Sequence, residues 1–241
     1  MRLRDFDALT FDCYGTLIDW ETGLWSALQP LLTRAGLRIE RDAALAVFAE
    51  HEARQQAATP DMPYAALLAV VHGQLADAWG VTPSADENRR FGESIGEWPP
   101  FPDTVEALRY LGRHYRLVIL SNVDRASFSV TQTRLGVTFN AVYTAQDIGF
   151  YKPDLRNFHY LLDRLADQGI GKDRVLHVAQ SLFHDHAPAN AIGLPSAWID
   201  RRDGAPGSGA TSAPPDNVRY DFRFPTLGDF AAAHRAETGG G

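Results

Sequence analysis

Four apolar runs in this chain end in side chains able to do chemistry. Asp12 follows Ala8-Leu-Thr-Phe, and Thr16 stands four residues further on. Ser121 and Asn122 close the run that begins at Arg116, Lys152 lies in Tyr151-Lys-Pro-Asp, and Asp185 lies in Gln180-Ser-Leu-Phe-His-Asp. A carboxylate attacks an electrophilic centre only if it stays ionised, desolvated and aimed. The set contains those parts: Asp12 as nucleophile, Lys152 to hold its charge, Thr16 to fix its side chain, and Ser121 and Asn122 to bond oxygens of substrate or nucleophile. His184 and His186 flank Asp185 and offer a base for water, with Asp185 orienting an imidazole or acting directly. Ser181, at the start of the same loop, joins the substrate-binding candidates. Trp20, between Asp19 and Glu21, places an indole and two carboxylates just after the nucleophile turn, a group suited to a cation.

The elements that must position these residues follow from the pattern around them. Short apolar runs at 8–13, 116–120, 174–179 and 195–199 read as strands buried on both faces. Helical patterns over 103–115, 154–168 and 186–192 separate them, which implies right-handed crossovers and a parallel sheet with its site at the strands' C-terminal ends. Between Ile18 and Trp98 the apolar residues recur at helical spacing (Leu24, Leu28, Leu31, Leu32; Leu45, Phe48; Leu67, Leu68, Val71, Leu75). Pro60, Pro63 and Pro83 break that stretch, and Pro99-Pro-Phe-Pro ends it. The segment from Asp203 to Asp216 reads as a loop, and 239–241 as a frayed end.

Composition narrows the function. With 241 residues and 45% hydrophobic content the chain can bury a full core. A net charge of -7 without a basic run argues against nucleic acid. No apolar run approaches the roughly 18 residues of a membrane span, and the first residues do not read as a signal peptide. One cysteine, Cys13, excludes an internal disulfide, so a cytoplasmic location is expected.

Phe11-Asp-Cys-Tyr-Gly-Thr-Leu-Ile-Asp, Leu120-Ser-Asn and Tyr151-Lys-Pro-Asp, in this order and at these intervals, resemble the haloacid dehalogenase superfamily, and within it the type II 2-haloacid dehalogenases. The resemblance covers 3–17 and 99–200 and is weak between them. It implies an α/β fold, with a Rossmann-like parallel-sheet core over 1–17 and 99–241, a helical cap domain over 18–98, and a homodimer. It also implies that Asp12 displaces a leaving group from carbon of a small 2-substituted carboxylic acid, after which water hydrolyses the enzyme ester. No cofactor and no metal is expected. Phosphatases of the superfamily carry a second Asp two positions after the nucleophile to protonate the leaving alcohol, where this chain has Tyr14. A phenol with a reference pKa of about 10 is a poor general acid, whereas a halide needs no proton.

Three positions depart from the dehalogenase pattern. The cap arginine that receives halide falls on Ala49, with Arg54 one turn further on, and the tyrosine after Lys-Pro-Asp falls on Phe158. The loop from Gln180 to Asp185 is one residue longer than the family's. Some relatives open azetidine-2-carboxylate by hydrolysing a C–N bond, a reading that the lost arginine favours. A phosphatase and a catalytically silent binding domain are the remaining alternatives.

Overall fold

A computed structural model describes residues 1–203, 213 and 215–239. Among the described residues six parallel strands form one sheet: β1 (Ala8–Phe11), β2 (Arg116–Ser121), β3 (Ala141–Thr144), β4 (Val175–Ala179), β5 (Ser196–Ile199) and β6 (Phe222–Phe224). Their order, β3-β2-β1-β4-β5-β6, is the doubly wound one. The chain leaves β1 to build one half of the sheet and returns beside it to build the other. The crevice therefore opens beyond the C-terminal ends of β1 and β4, which pair in register from Ala8↔Val175 to Phe11↔Val178.

Alternation along the strands divides the core into two layers. Leu117 and Ile119 of β2, with Leu9 and Phe11 of β1, face one apolar layer that includes Ala107, Leu108 and Leu111 of α5 (Thr104–Leu111) and Phe230 of α10 (Leu227–Gly239). Val118 and Leu120 face the other, which includes Phe158, Leu161 and Leu165 of α8 (Leu155–Ala166) and Ala189 of α9 (Ala187–Ile192). Burial on both faces is why these strands read as apolar runs. The four expected strands and three expected helices are present, with ends within a few residues of the expected ones. Two edge strands, β3 and β6, were not expected. The loop expected over 203–216 lies largely outside the described residues, as do 240 and 241.

Between β1 and α5 the chain is helical: α1 (Trp20–Ala35), α2 (Arg41–Ala58), α3 (Tyr64–Ala78), α4 (Ala85–Glu93) and a 3₁₀ turn over Ser94–Glu97. α2 ends just before Pro60, α3 begins after Pro63, and Ser84 caps α4 through a reciprocal bond pair with Glu87. The apolar residues of this segment are continuous with the layer against β1. Close approach needs a glycine at one point: a Cβ on Gly23 of α1 would lie 2.3 Å from the Trp98 ring. Polar contacts also join segment and sheet. Asp124, the N-cap of α6 (Arg125–Leu135), accepts from Ser127 N at 2.8 Å and from Ala65 N in α3 at 3.2 Å. Tyr151 Oη donates to the Met62 carbonyl at 2.5 Å. No helix among the described residues is long and apolar enough to cross a membrane.

Candidate active site

Asp12 follows the last residue of β1, and its backbone N–H still bonds Val178 O at 3.2 Å, so the sheet fixes the direction in which its side chain leaves. The turn after it needs Gly15, whose φ of +94° places it in the left-handed region. That turn brings Thr16 back, and Thr16 Oγ1 donates to Asp12 Oδ2 at 2.8 Å while accepting from Gln180 N at 2.9 Å. Arg201 anchors the turn from below, its guanidinium donating to Thr16 O at 2.8 Å and to Asp103 at 2.7 Å.

The second Asp12 oxygen accepts from Lys152 Nζ at 2.9 Å. Lys152 is buried and gives its other protons to Asp185 Oδ1 at 2.6 Å and to Leu120 O at 3.1 Å, so the ammonium is saturated and held in place. Asn122 fixes the lysine backbone: its amide donates to Lys152 O at 3.1 Å and accepts from Lys152 N at 2.6 Å. The Asn122 side chain is thus committed to Lys152, and Asp124, not Asn122, caps the following helix. Ser121 Oγ is buried with no partner, a donor available to a substrate oxygen.

Behind Lys152 runs a buried chain of hydrogen bonds that sequence reasoning missed. Asp185 Oδ1 pairs with His177 Nε2 at 3.0 Å, and His177 Nδ1 with Thr10 Oγ1 at 2.8 Å. The signal was present: His177 interrupts the apolar run Val-Leu-His-Val-Ala of a central strand, where a polar group needs partners. The loop that brings Asp185 in is a π-helical turn, Leu182–His186, in which His186 N reaches Ser181 O at 3.2 Å.

Two carboxylates share one ammonium here. Burial raises the Asp12 carboxyl above its ordinary value, Lys152 opposing and the Asp185 charge adding to the rise. Burial also acts to raise Asp185, but Lys152 and His177 outweigh it and hold that carboxyl well below the usual range. For Lys152, burial acts downward and the two carboxylates prevail, so its pKa is raised. The two carboxylates and the ammonium form one buried cluster whose members set each other's charge.

A cavity of about 60 Å³ opens over Asp12, whose side chain is 10% exposed into it. Of the expected residues Tyr14, Trp20, Ser121, Asn122, Lys152, Ser181, His184 and Asp185 line it. Thr16 acts from behind the nucleophile. Tyr14 Oη bonds Thr131 Oγ1 at 2.7 Å, and burial pushes the phenol well above its ordinary pKa, which makes it a poor general acid. His184 Nδ1 lies 3.2 Å from Ser181 Oγ, and burial pushes its pKa down to about 4, leaving it neutral.

Three expectations are corrected. His186 is buried away from the cavity, between Ser196 Oγ (2.9 Å) and the Ala179 carbonyl (3.0 Å). Asp19 is the N-cap of α1, accepting from Thr22 N at 3.2 Å, and Glu21 lies 3.6 Å from Arg202; both line, with Trp20, a separate cavity and not the one over Asp12. Arg54 is exposed and pairs with Glu50 at 3.5 Å, outside the site. In place of Asp19 and Glu21 the cavity holds Glu52 and Tyr64, which were missed. Glu52 falls on the buried stripe of α2 with Leu45 and Phe48, spacing that would have identified it as an acid facing inward. The Tyr64 hydroxyl donates to it, and burial pushes its pKa up to about 7.

The model of one family, the haloacid dehalogenase-like hydrolases, matches residues 6–191. The chain belongs to that family. An (S)-2-haloacid dehalogenase of Pseudomonas putida is 27% identical over 129 residues, 52% of this chain and 55% of that relative. The chain thus spans about half the length of that relative. The (S)-2-haloacid dehalogenase 4A of Burkholderia cepacia is 27% identical over 216 residues, 83% of this chain and 85% of it. The L-2-haloacid dehalogenase of Xanthobacter autotrophicus, solved with chloropropionic acid covalently bound, superposes with a TM-score of 0.76 at 19% identity, covering 95% of this chain and 98% of that one. The family accounts for the sheet.

Proposed function

We propose that this hydrolase acts on small 2-substituted carboxylic acids, with Asp12 attacking C2, expelling the substituent and forming an ester that water then cleaves. One observation carries the reading: the Asp12 carboxylate, fixed through both oxygens by Lys152 and Thr16, faces a cavity of about 60 Å³ whose neighbouring Tyr14 supplies no acid. Attack at carbon needs an ionised, immobilised carboxylate, and Lys152 neutralises the nucleophile's environment as charge moves onto the leaving group. The partnerless Ser121 hydroxyl takes the substrate carboxylate. In the second step Asp185, whose Oδ2 is buried without a partner, accepts a hydrogen bond from the attacking water and orients it toward the ester. The helical segment serves as the cap over 18–98, closing the cavity with Trp20, Glu52 and Tyr64.

Likeness to the relatives favours halide as the leaving group. C–N hydrolysis of a cyclic amino acid such as L-azetidine-2-carboxylate is a second reading, favoured by a cavity lining that holds no arginine among the described residues. The test is product release from L-2-chloropropionate, fluoroacetate and L-azetidine-2-carboxylate in separate reactions, with wild type and Asp12→Asn. A single turnover in heavy-oxygen water places the label in the Asp12 carboxyl. Label confined to product, or undiminished activity of Asp12→Asn, would refute the covalent reading.

A further inference from the structure

The cavity has two walls of different chemistry. The sheet wall carries Asp12, Ser121 and Lys152; the helical wall carries Trp20, Glu52 and Tyr64. Among the described residues that line the cavity, the one charged cation is Lys152, and its three protons are already donated to Asp12, Asp185 and Leu120. A departing halide is an anion and needs donors or a cation. Facing it with a buried carboxyl is unfavourable. A nitrogen that arrives as an ammonium has the opposite need: a carboxylate to pair with and aromatic faces beside it. Trp20 and Tyr64 supply the faces, and Glu52, buried and bonded to the Tyr64 hydroxyl, supplies the carboxylate.

We propose that Glu52, oriented by Tyr64, is the leaving-group subsite and that it takes a secondary ammonium rather than a halide. This deepens the function proposed above and rests on the Asp12 displacement. The bonds balance as follows. An Asp12 oxygen forms a bond to C2, the C–N bond breaks with its electron pair staying on nitrogen, and the nitrogen departs as an amine keeping its own hydrogens. Water adds to the Asp12 ester carbonyl, the ester C–O bond on the carboxyl side breaks, and the carboxylate and a hydroxy acid result. The proton so released goes to the amine, so the net reaction liberates no acid, whereas displacement of halide liberates one proton per turnover. Burial lifts the Glu52 pKa to about 7, which lets it pass that proton near neutrality.

The experiment compares wild type, Glu52→Gln and Tyr64→Phe on L-azetidine-2-carboxylate and on L-2-chloropropionate, following product, acid release and heavy-oxygen label in Asp12. Calorimetric binding of L-proline and of cyclopentanecarboxylate, which lacks the nitrogen, accompanies it. Ring opening by wild type without acid release, a loss of about 100-fold in kcat/KM in Glu52→Gln, and tighter L-proline binding that vanishes in that variant are expected. Tyr64→Phe should show a smaller loss. Wild-type preference for L-proline decides the matter even if Glu52→Gln fails to fold. Equal binding of the two ring acids overturns the subsite, as does undiminished ring opening by a folded Glu52→Gln. Label in Asp12 from chloropropionate with no ring opening overturns the subsite alone. No label from either substrate overturns the Asp12 reading and the subsite with it.

Discussion

Glu52→Gln changes one titrating group in the cavity wall and leaves the shape of the side chain nearly intact, so its effect on stability should depend on pH. The carboxyl moves from an ordinary value of 4.5 to about 7 on folding, because burial disfavours the charged form and the Tyr64 bond offsets this only in part. Between those values the unfolded chain has lost the proton and the folded one keeps it. Stability from this group is therefore full below pH 4.5 and is lost as pH rises through about 7. At about 1.4 kcal/mol per pH unit the loss amounts to roughly 3 kcal/mol at most. Glutamine cannot titrate and shows no such loss. Tyr64 and Tyr151, the phenols that feel this charge, are pushed upward by burial and stay neutral throughout. Buried His184 and His186 stabilise in the opposite sense, most fully above their ordinary value of 6.5, but they are common to both proteins and cancel in the difference. Urea denaturation of both proteins from about pH 5 to about pH 8 reads the effect directly. The wild type should lose stability relative to the variant as pH rises; curves that stay parallel would refute the buried, proton-retaining carboxyl.

Lys152→Met strands two buried carboxylates and should cost about 3–5 kcal/mol in chemical denaturation, with part of the loss recovered when Asp185→Asn is added; no recovery would mean that the two acids do not share the lysine. His177→Phe removes a donor from Asp185 and a partner from Thr10, and a stability loss of about 1–3 kcal/mol is expected, together with a fall in kcat at unchanged KM if the histidine aligns Lys152 through Asp185. Gly23→Ala drives a methyl to within 2.3 Å of Trp98 and should destabilise by about 1–3 kcal/mol in thermal unfolding. Because Trp98 packs edge-on against Tyr14 at 5.8 Å, the same change should also weaken substrate binding.

What could be read beforehand was the central sheet and the residues at its strand ends. Strands β1, β2 and β4 are buried on both faces, so they appear as mostly apolar runs, with His177 the exception in β4, and their ends are marked by Asp12, Ser121 and Gln180. β3 and β6 are edge strands of four and three residues, mostly half-exposed, and nothing in Ala-Val-Tyr-Thr or Phe-Arg-Phe separates them from loop. The acids beside Trp20 were attractive by proximity in sequence. Yet helix geometry turned Asp19 into a cap and brought Glu21 toward Arg202, while the acid that reaches the cavity arrives from a different helix. Closeness along a chain locates neighbours at a strand end far better than it does across helices, where three-dimensional packing alone decides which face turns inward.

The two kinds of departure from the dehalogenase pattern have opposite consequences. The extra residue between Gln180 and Asp185 threatens to displace the acid, but a π turn widens the helical ring by one residue. Asp185 N and His186 N both reach Ser181 O at 3.2 Å, and α9 continues beyond. Asp185 still meets Lys152 at 2.6 Å and His177 at 3.0 Å, so the insertion is absorbed within the loop and the charged triad is intact. Ala49 stands where the resemblance implies an arginine, and among the described residues no guanidinium lines the cavity, whereas Glu52 does. On the proposed reading the sheet retains the means of attack at carbon, while the helical wall, with Glu52 and Tyr64, suits a cation. On that reading the leaving group is selected by that wall, and it is at Glu52 and Tyr64 that the specificity of this protein is to be tested.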